Sequence, residues 1–329
     1  MCSKAVYARW ETACVLGQLI DAATGAHLWA DRFEGGLEDI FDLQDQVTAS
    51  VVGAIAPKLE WAEIERAKRK PTESLDAYDN YLRGMASYYQ WTKESNNEAL
   101  SLFYRAIELD PDFVPAHTAA AMCYSARKNS NWMVDRANEI TETTRLARRA
   151  VSLDNDDAVV LCTSGYALAY VGHETDAGVA LIDRALVLNP NLAAAWAYSG
   201  HVRYWLGKPD LAIEHLTHAM RLNSLDPRVP WFQTNAIAHA NFVACRYDEA
   251  SSWAEMGLRE QPEMHSALRI AAASNALAGR MEEANKLSTK LLHLDPALRV
   301  SNLKDTLGPF RPEDLARYEE GLRKAGLPE

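Results

Sequence analysis

Cysteine is scarce in this chain of 329 residues. The five thiols, Cys2, Cys14, Cys123, Cys162 and Cys245, are scattered, and no C-x-x-C pair exists. That pattern speaks against a zinc ribbon or a disulfide framework and suits a reducing, cytoplasmic setting. Cys162 and Cys245 fall near small helix positions and are expected to be buried, inert thiols. Long apolar runs are missing too, so no membrane-spanning helix is expected. Near the start, "TACVLGQLI" follows Lys4 and Arg9, but Glu11 and Gln18 interrupt it and no small-x-small site follows, so a signal peptide is disfavoured. Basic residues are outnumbered, 34 Lys and Arg against 45 Asp and Glu, for a net charge of −11. This argues against nucleic acid or an anionic membrane as the main partner. Phosphate-binding and nucleophile motifs are absent: there is no Walker A sequence, no G-x-G-x-x-G and no G-x-S-x-G. His215 and His218 stand three apart beside Glu214, but no third ligand completes a set, and surface histidines are the favoured reading. No catalytic residue, metal or cofactor is expected.

Periodicity is what the chain has. With Trp196 as position 4 of a 34-residue unit, Gly200 takes position 8, Gly207 position 15, Ala212 position 20, Leu216 position 24 and Ala219 position 27. Small residues at 8 and 20 let two antiparallel helices approach closely. The glycine at 15 supplies backbone freedom for the turn between them. The template recurs. Ala238, Ala250, Ala254, Gly257 and Pro262 fit the next unit, and Ala272, Gly279, Ala284, Leu291 and Pro296 the one after. Upstream, Gly178, Ile182, Ala185 and Pro190 fit positions 20 to 32, and so do Ala99, Phe103, Ala106 and Pro111. The phrases "RAIELDP", "RALVLNP" and "KLLHLDP" each end a helix at a proline, which cannot continue it. The pattern resembles the tetratricopeptide repeat. It implies an all-α helical-hairpin solenoid of about six repeats over residues 75–296. Its predicted irregularities are a long loop at Glu94–Asn97, another at Arg127–Arg136, and four extra residues at Ser224–Pro227. Residues 297–329, opening with Pro312, Glu313 and Asp314, are expected to supply a capping helix with Leu315, Tyr318 and Leu322 on its apolar side.

Ahead of the repeats the text differs. Residues 1–17 show no pattern and are left unassigned. Gln18–Asp21 and Ala26–Phe33 alternate apolar and polar residues around the turn Ala22–Gly25, which predicts a β-hairpin. Glu38 to about Arg69 predicts a helix that Pro57 bends. The phrase "QLIDAATGAHLWADRFEG…DIFDLQDQV" resembles the end of the TolB-amino-terminal-like domain (residues 18–70 here). In rhizobial-type class III adenylate/guanylate cyclases that domain sits between the catalytic domain and a tetratricopeptide array. The resemblance implies a member lacking the cyclase domain and most of the middle domain.

In such arrays the first helix of each pair lines a concave groove through positions 2, 5, 9, 12 and 13. Here those positions give Tyr170, His201, Tyr204, Trp205, Phe232, Asn235, His239, Phe242 and Arg269. Aromatics and arginine are the residue types that anchor interfaces. Packing between successive repeats is the competing reading. The chain is thus expected to be a non-catalytic scaffold that takes a protein or peptide partner in the groove. The alternative is the regulatory carboxy-terminal portion of a cyclase-family protein, without activity of its own. Nothing in the sequence sets the oligomeric state.

Overall fold

A computed structural model describes residues 5–9, 12–20, 27–36, 61–68, 70, 75–222 and 230–329. Three strands come first: β1 (Ala5–Arg9), β2 (Thr12–Ile20) and β3 (His27–Gly36), an antiparallel sheet in that order. The expected hairpin is there, with Gln18 opposite Ala30 and Leu16 opposite Arg32. It is longer than expected, and the apparently patternless start supplies a third strand, Val6 facing Val15 and Tyr7 facing Cys14. Ala-rich strands without Gly or Pro at the turn gave no alternation to read. The turn Ala22–Gly25, residues 38–60 with Pro57, and the insertion Ser224–Pro227 lie outside the described residues.

Helical residues 61–68, here α1, bury Ile64 and Ala67 against Leu82. Arg83 fixes the approach by donating from Nε to the Ala67 carbonyl at 3.1 Å. Six helix pairs follow: α2 (Ala77–Tyr88) with α3 (Lys93–Leu109), α4 (Val114–Asn129) with α5 (Arg136–Leu153), and α6 (Ala158–Tyr170) with α7 (Thr175–Leu188). The remaining pairs are α8 (Ala193–Trp205) with α9 (Pro209–Leu222), α10 (Pro230–Val243) with α11 (Tyr247–Glu260), and α12 (His265–Leu277) with α13 (Met281–Leu294). The solenoid architecture expected from the 34-residue period is therefore the one found. Glu94–Asn97 is not a loop but the first turn of α3. Thr92 caps that turn, accepting from the Ser95 amide at 3.0 Å while the Ser95 hydroxyl accepts from the Thr92 amide at 3.1 Å.

First and second helices differ in composition for a packing reason. The first helices touch one another from pair to pair as well as their own partners. They are therefore buried nearly all round: every residue from Ser266 to Ala276 of α12 is buried. The second helices face solvent on one side, and α13 buries only Ala284, Leu287, Ser288 and Leu291. Where paired helices cross, backbone meets backbone; a Cβ on Gly165 would lie 2.7 Å from the Gly178 carbonyl oxygen. The "LDP", "LDN" and "LNP" endings at Asp110, Asp154 and Asn189 form the same turn, in which each of these side chains accepts from the amide two residues on, at 3.0–3.1 Å.

The link inside each pair is also one device. Its turn carries a left-handed residue in all six repeats: Trp91 (φ 53°), Asn131 (56°), His173 (59°), Gly207 (69°), Cys245 (60°) and Gly279 (83°). Only two of these are glycine, so four turns carry a steric cost of roughly 1 kcal/mol each. Cys245 is exposed in such a turn, not buried on a helix as expected; Cys162 is buried in α6.

The array ends with a 3-10 helix, Val300–Asp305, and α14 (Pro312–Lys324). Pro312 opens α14 with Glu313 and Asp314 in its first turn. Tyr318 and Leu322 are fully buried against α12, and a Cβ on Gly321 would reach Ala273 at 3.0 Å.

Because Cys245 is exposed and its backbone is left-handed, Cys245→Gly should raise unfolding stability by about 0.5–1 kcal/mol. Urea denaturation of the two proteins measures it. An unchanged or lower midpoint would show that the turn costs nothing.

Candidate functional site

The inner wall built by the first helices is divided in two. Its amino-terminal half is an open groove of about 410 Å³ lined from α2, α4, α6, α8 and α10. Tyr81, Met85, Tyr88, Met122, Tyr166, Tyr198 and Phe232 give it an apolar, aromatic surface. Among the described residues no Asp, Glu, Lys, Arg or His lines it. Its aliphatic hydroxyls are already engaged: Thr118 donates to Pro115, Ser125 to Ala121 and Thr163 to Val159. A ligand here meets mainly π faces and apolar side chains, with Asn129, Gln233 and tyrosine hydroxyls as neutral polar groups, and finds no charge to pair with.

An aromatic spine runs from this groove inward. Tyr198 stacks on Tyr166 with centroids 4.5 Å apart, Tyr166 on Trp205 at 5.8 Å, and Trp205 on Tyr170 at 5.4 Å. Farther along, His201 stacks on Phe232 at 4.7 Å and Tyr204 on His239 at 5.7 Å.

The nine residues singled out from the sequence are brought together here. Eight of them, Tyr170, His201, Tyr204, Trp205, Asn235, His239, Phe242 and Arg269, are buried, and Phe232 is half-buried at the edge of the open groove. What covers them is the chain itself. The turn between the 3-10 helix and α14 enters the carboxy-terminal half of the groove, placing Phe310 5.6 Å from Tyr204 and 6.3 Å from His239. Gly308 sits so close to the Trp205 ring that a Cβ would overlap it. Tyr318 of α14 packs on Phe242 at 5.0 Å. The array also closes on itself. The Tyr170 hydroxyl donates to the Thr306 carbonyl at 2.7 Å, Asn131 donates to Asp295 at 2.8 Å, and Arg136 bonds the Asp305 carbonyl. Lys128 is buried at the same junction, donating to the Tyr170 carbonyl and lying 4.9 Å from that ring's centre. Burial lowers its pKa to about 8.

The imidazoles on the inner wall are neutral. Burial pushes His201 down to about 4 and His239 to about 3, although each ring donates from Nδ1 to a backbone carbonyl, Ala197 at 2.9 Å and Asn235 at 2.8 Å. The outer pair behaves differently. Trp196 packs edge-on against both His215 and His218, 4.8 and 4.6 Å away, and His215 bonds Ser199. Among the described residues no cluster of three metal-ligating side chains forms. No helix among them is long and apolar enough to cross a membrane.

Sequence reasoning missed Tyr81, Tyr88, Met122, Tyr166 and Tyr198. Their signal was a tyrosine or methionine on each of the first four first helices, whereas the slots were followed only from the third repeat onward.

Comparisons with known proteins agree with this fold. No protein-family model matches the chain. A relative named "Putative adenylate cyclase 3" from Rhizobium meliloti is 32% identical over 154 residues, which is 47% of this chain and 26% of that protein. Transcriptional regulator HilA of Salmonella typhimurium is 24% identical over 181 residues, 55% of this chain and 32% of the regulator. The chain thus spans about a quarter to a third of the curated relatives it matches. Among solved structures, a monomeric IFIT1 mutant with Gppp-AAAA superposes at a TM-score of 0.59, 15% identity, 87% of this chain and 66% of that one. The Cut9–Hcn1 hetero-tetramer of the APC/C gives 0.55, 16% identity, 85% of this chain and 49% of that one. TTC0263, a TPR protein of Thermus thermophilus, gives 0.44 at 17% identity, with 66% of this chain and 99% of that one covered.

The buried imidazoles set a pH dependence. Unfolded histidine titrates near 6.5, while His201 and His239 in the folded chain titrate near 4 and 3. Between those values the unfolded state binds more protons, so stability is complete above pH 6.5 and falls as pH drops toward 4. His239→Gln should flatten that fall by on the order of 2–3 kcal/mol between pH 7 and 4. Urea midpoints of both proteins across that range measure it, and parallel curves would show that His239 is protonated in the folded chain.

Proposed function

We propose that the chain is a non-catalytic protein-interaction scaffold whose partner presents an apolar, uncharged surface to the open half of the groove. One observation supports this most directly: a groove of about 410 Å³, walled by tyrosine, methionine and phenylalanine from five successive first helices and bare of charged side chains among the described residues. Pockets of that size and polarity favour apolar ligands held by shape and π contacts. One face of a short amphipathic helix suits it, because apolar side chains at i, i+3 and i+4 lie in a row. A protein or peptide partner fits better than nucleic acid or a membrane surface. The chain carries a net charge of −11, and phosphate has no cation to meet in the groove. The nine residues chosen from the sequence belong to the same wall; Phe232 lines the open part, and the others form the floor on which the carboxy-terminal turn rests.

A second reading is supported by the 32% identity to the rhizobial protein named as a cyclase. In it the array serves as the regulatory portion of a cyclase-family protein in cyclic-nucleotide signalling, with catalysis residing outside the residues matched here.

Selection from a random peptide display library tests the first reading. Enriched peptides should be apolar on one face, and Tyr88→Ala with Tyr198→Ala should weaken them at least tenfold while the far-ultraviolet circular dichroism is unchanged. Enriched peptides that bind the double variant equally well, or no enrichment at all, would overturn it.

A further inference from the structure

Arg269 is the most unusual side chain in the molecule. It sits mid-helix in α12 with no exposed surface. Its guanidinium is permanently charged. One nitrogen, Nη2, donates to the Asn129 carbonyl at 3.2 Å. Nε and Nη1 are buried and have no hydrogen-bond acceptor among the described residues. The groups around it do not compensate its charge. Tyr170 is made more acidic by its field and Tyr318 by its field and a weak polar contact with the guanidinium, but burial outweighs both and holds the two phenols neutral, so neither supplies a counter-charge. His239 and His265 are neutral and are pushed down further by the same cation. Asp295, which acts on His265, spends an oxygen on Asn131 and forms no ion pair with Arg269. A buried charge left unpaired is among the costliest features a fold can carry.

Beside Arg269 lies a small pocket of about 20 Å³, bounded by Asn235, His239, Tyr204 and the turn at Leu307–Gly308. That volume holds one water-sized occupant. The side-chain oxygen assigned to Asn235 is also buried without a partner, while its Nδ2 donates to Ser266 at 3.2 Å. Rotating that amide by half a turn would aim an N–H at the cavity, since oxygen and nitrogen are distinguished only by their network.

We propose that this cavity is a binding site for a small monovalent anion of chloride size, held by Nε and Nη1 of Arg269 and the amide of Asn235. The occupant neutralises the guanidinium and satisfies its two open donors. Anions of several heavy atoms are too large for a pocket of that volume. Because the cavity wall includes the turn that covers the groove floor, the anion also ties α12 to that turn. Closure of the array is then anion-dependent. This site adjoins the open groove, sharing Asn129, Tyr166 and Phe232 with it, but its chemistry is that of Arg269 and Asn235 and not of the groove wall.

The test uses the full chain in sodium chloride or sodium gluconate at matched ionic strength. Chloride should raise the thermal midpoint of the wild type by several degrees over gluconate, saturating with concentration. Arg269→Met and Arg269→Gln should show no difference between the salts. In gluconate Arg269→Met should melt no lower than the wild type, since it removes an unpaired buried charge. Two results overturn the proposal: equal midpoints for the wild type in the two salts, or a chloride shift of the same size in whichever variant folds. Crystals soaked in sodium bromide give an independent readout. An anomalous peak between Arg269 and Asn235 is expected, and its absence contradicts the site.

Discussion

The closed form of this array hangs on the hydrogen bond from the Tyr170 hydroxyl to the Thr306 carbonyl, 2.7 Å long and buried. A solenoid of helix pairs has no internal reason to stop or to close, since each repeat contacts its neighbours and nothing else. Here repeats far apart in sequence do meet. Asn131 reaches Asp295, Arg136 reaches Asp305, and Arg269 reaches Asn129. These contacts let the segment after α13 lie across the inner wall, where Phe310 and Tyr318 join the aromatic spine. The floor of the groove is thereby converted from surface into core, and only its amino-terminal half stays open.

That conversion decides how the sequence could be read. The helix pairs were legible because close helix packing admits few residue types. Gly178 and Gly200 stand where a Cβ would collide, and small residues recur 34 residues apart, Gly178 with Ala212 and Ala250 with Ala284. The turns inside the pairs were less legible. The same left-handed conformation is carried by Trp91, Asn131, His173 and Cys245 as well as by Gly207 and Gly279, so tertiary packing overrides residue preference in four repeats of six. The extra strand β1 and the early start of α3 were missed for a related reason. Neither is marked by glycine or proline, and α3 begins at a Thr92–Ser95 capping box lacking the usual glutamate.

The candidate site was half legible. Slots within the repeat pick out Tyr170, His201, Tyr204, Trp205, Asn235, His239, Phe242 and Arg269 as inward-facing, because a repeat fixes which side of a helix faces inward, and all eight are buried under the chain's own carboxy-terminal segment. No repeat rule describes residues 306–310, which lie outside the period and cover that surface. The groove that remains open is walled instead by Tyr81, Tyr88, Tyr166 and Tyr198. Their tyrosines face a cavity without charge, whereas the covered floor holds neutral imidazoles and one cation. The two halves therefore suit different chemistry: apolar contact in one, a small buried anion in the other.

Hydrogen exchange of the intact chain tests the closure most directly. If the turn is seated in the groove, the amides of Thr306, Leu307 and Phe310, each bonded to a carbonyl within the segment, exchange as slowly as those of α8. Exchange of those amides at the rate of the exposed turns, with α8 still protected, would contradict the account. It would mean that the inner wall is open along its whole length.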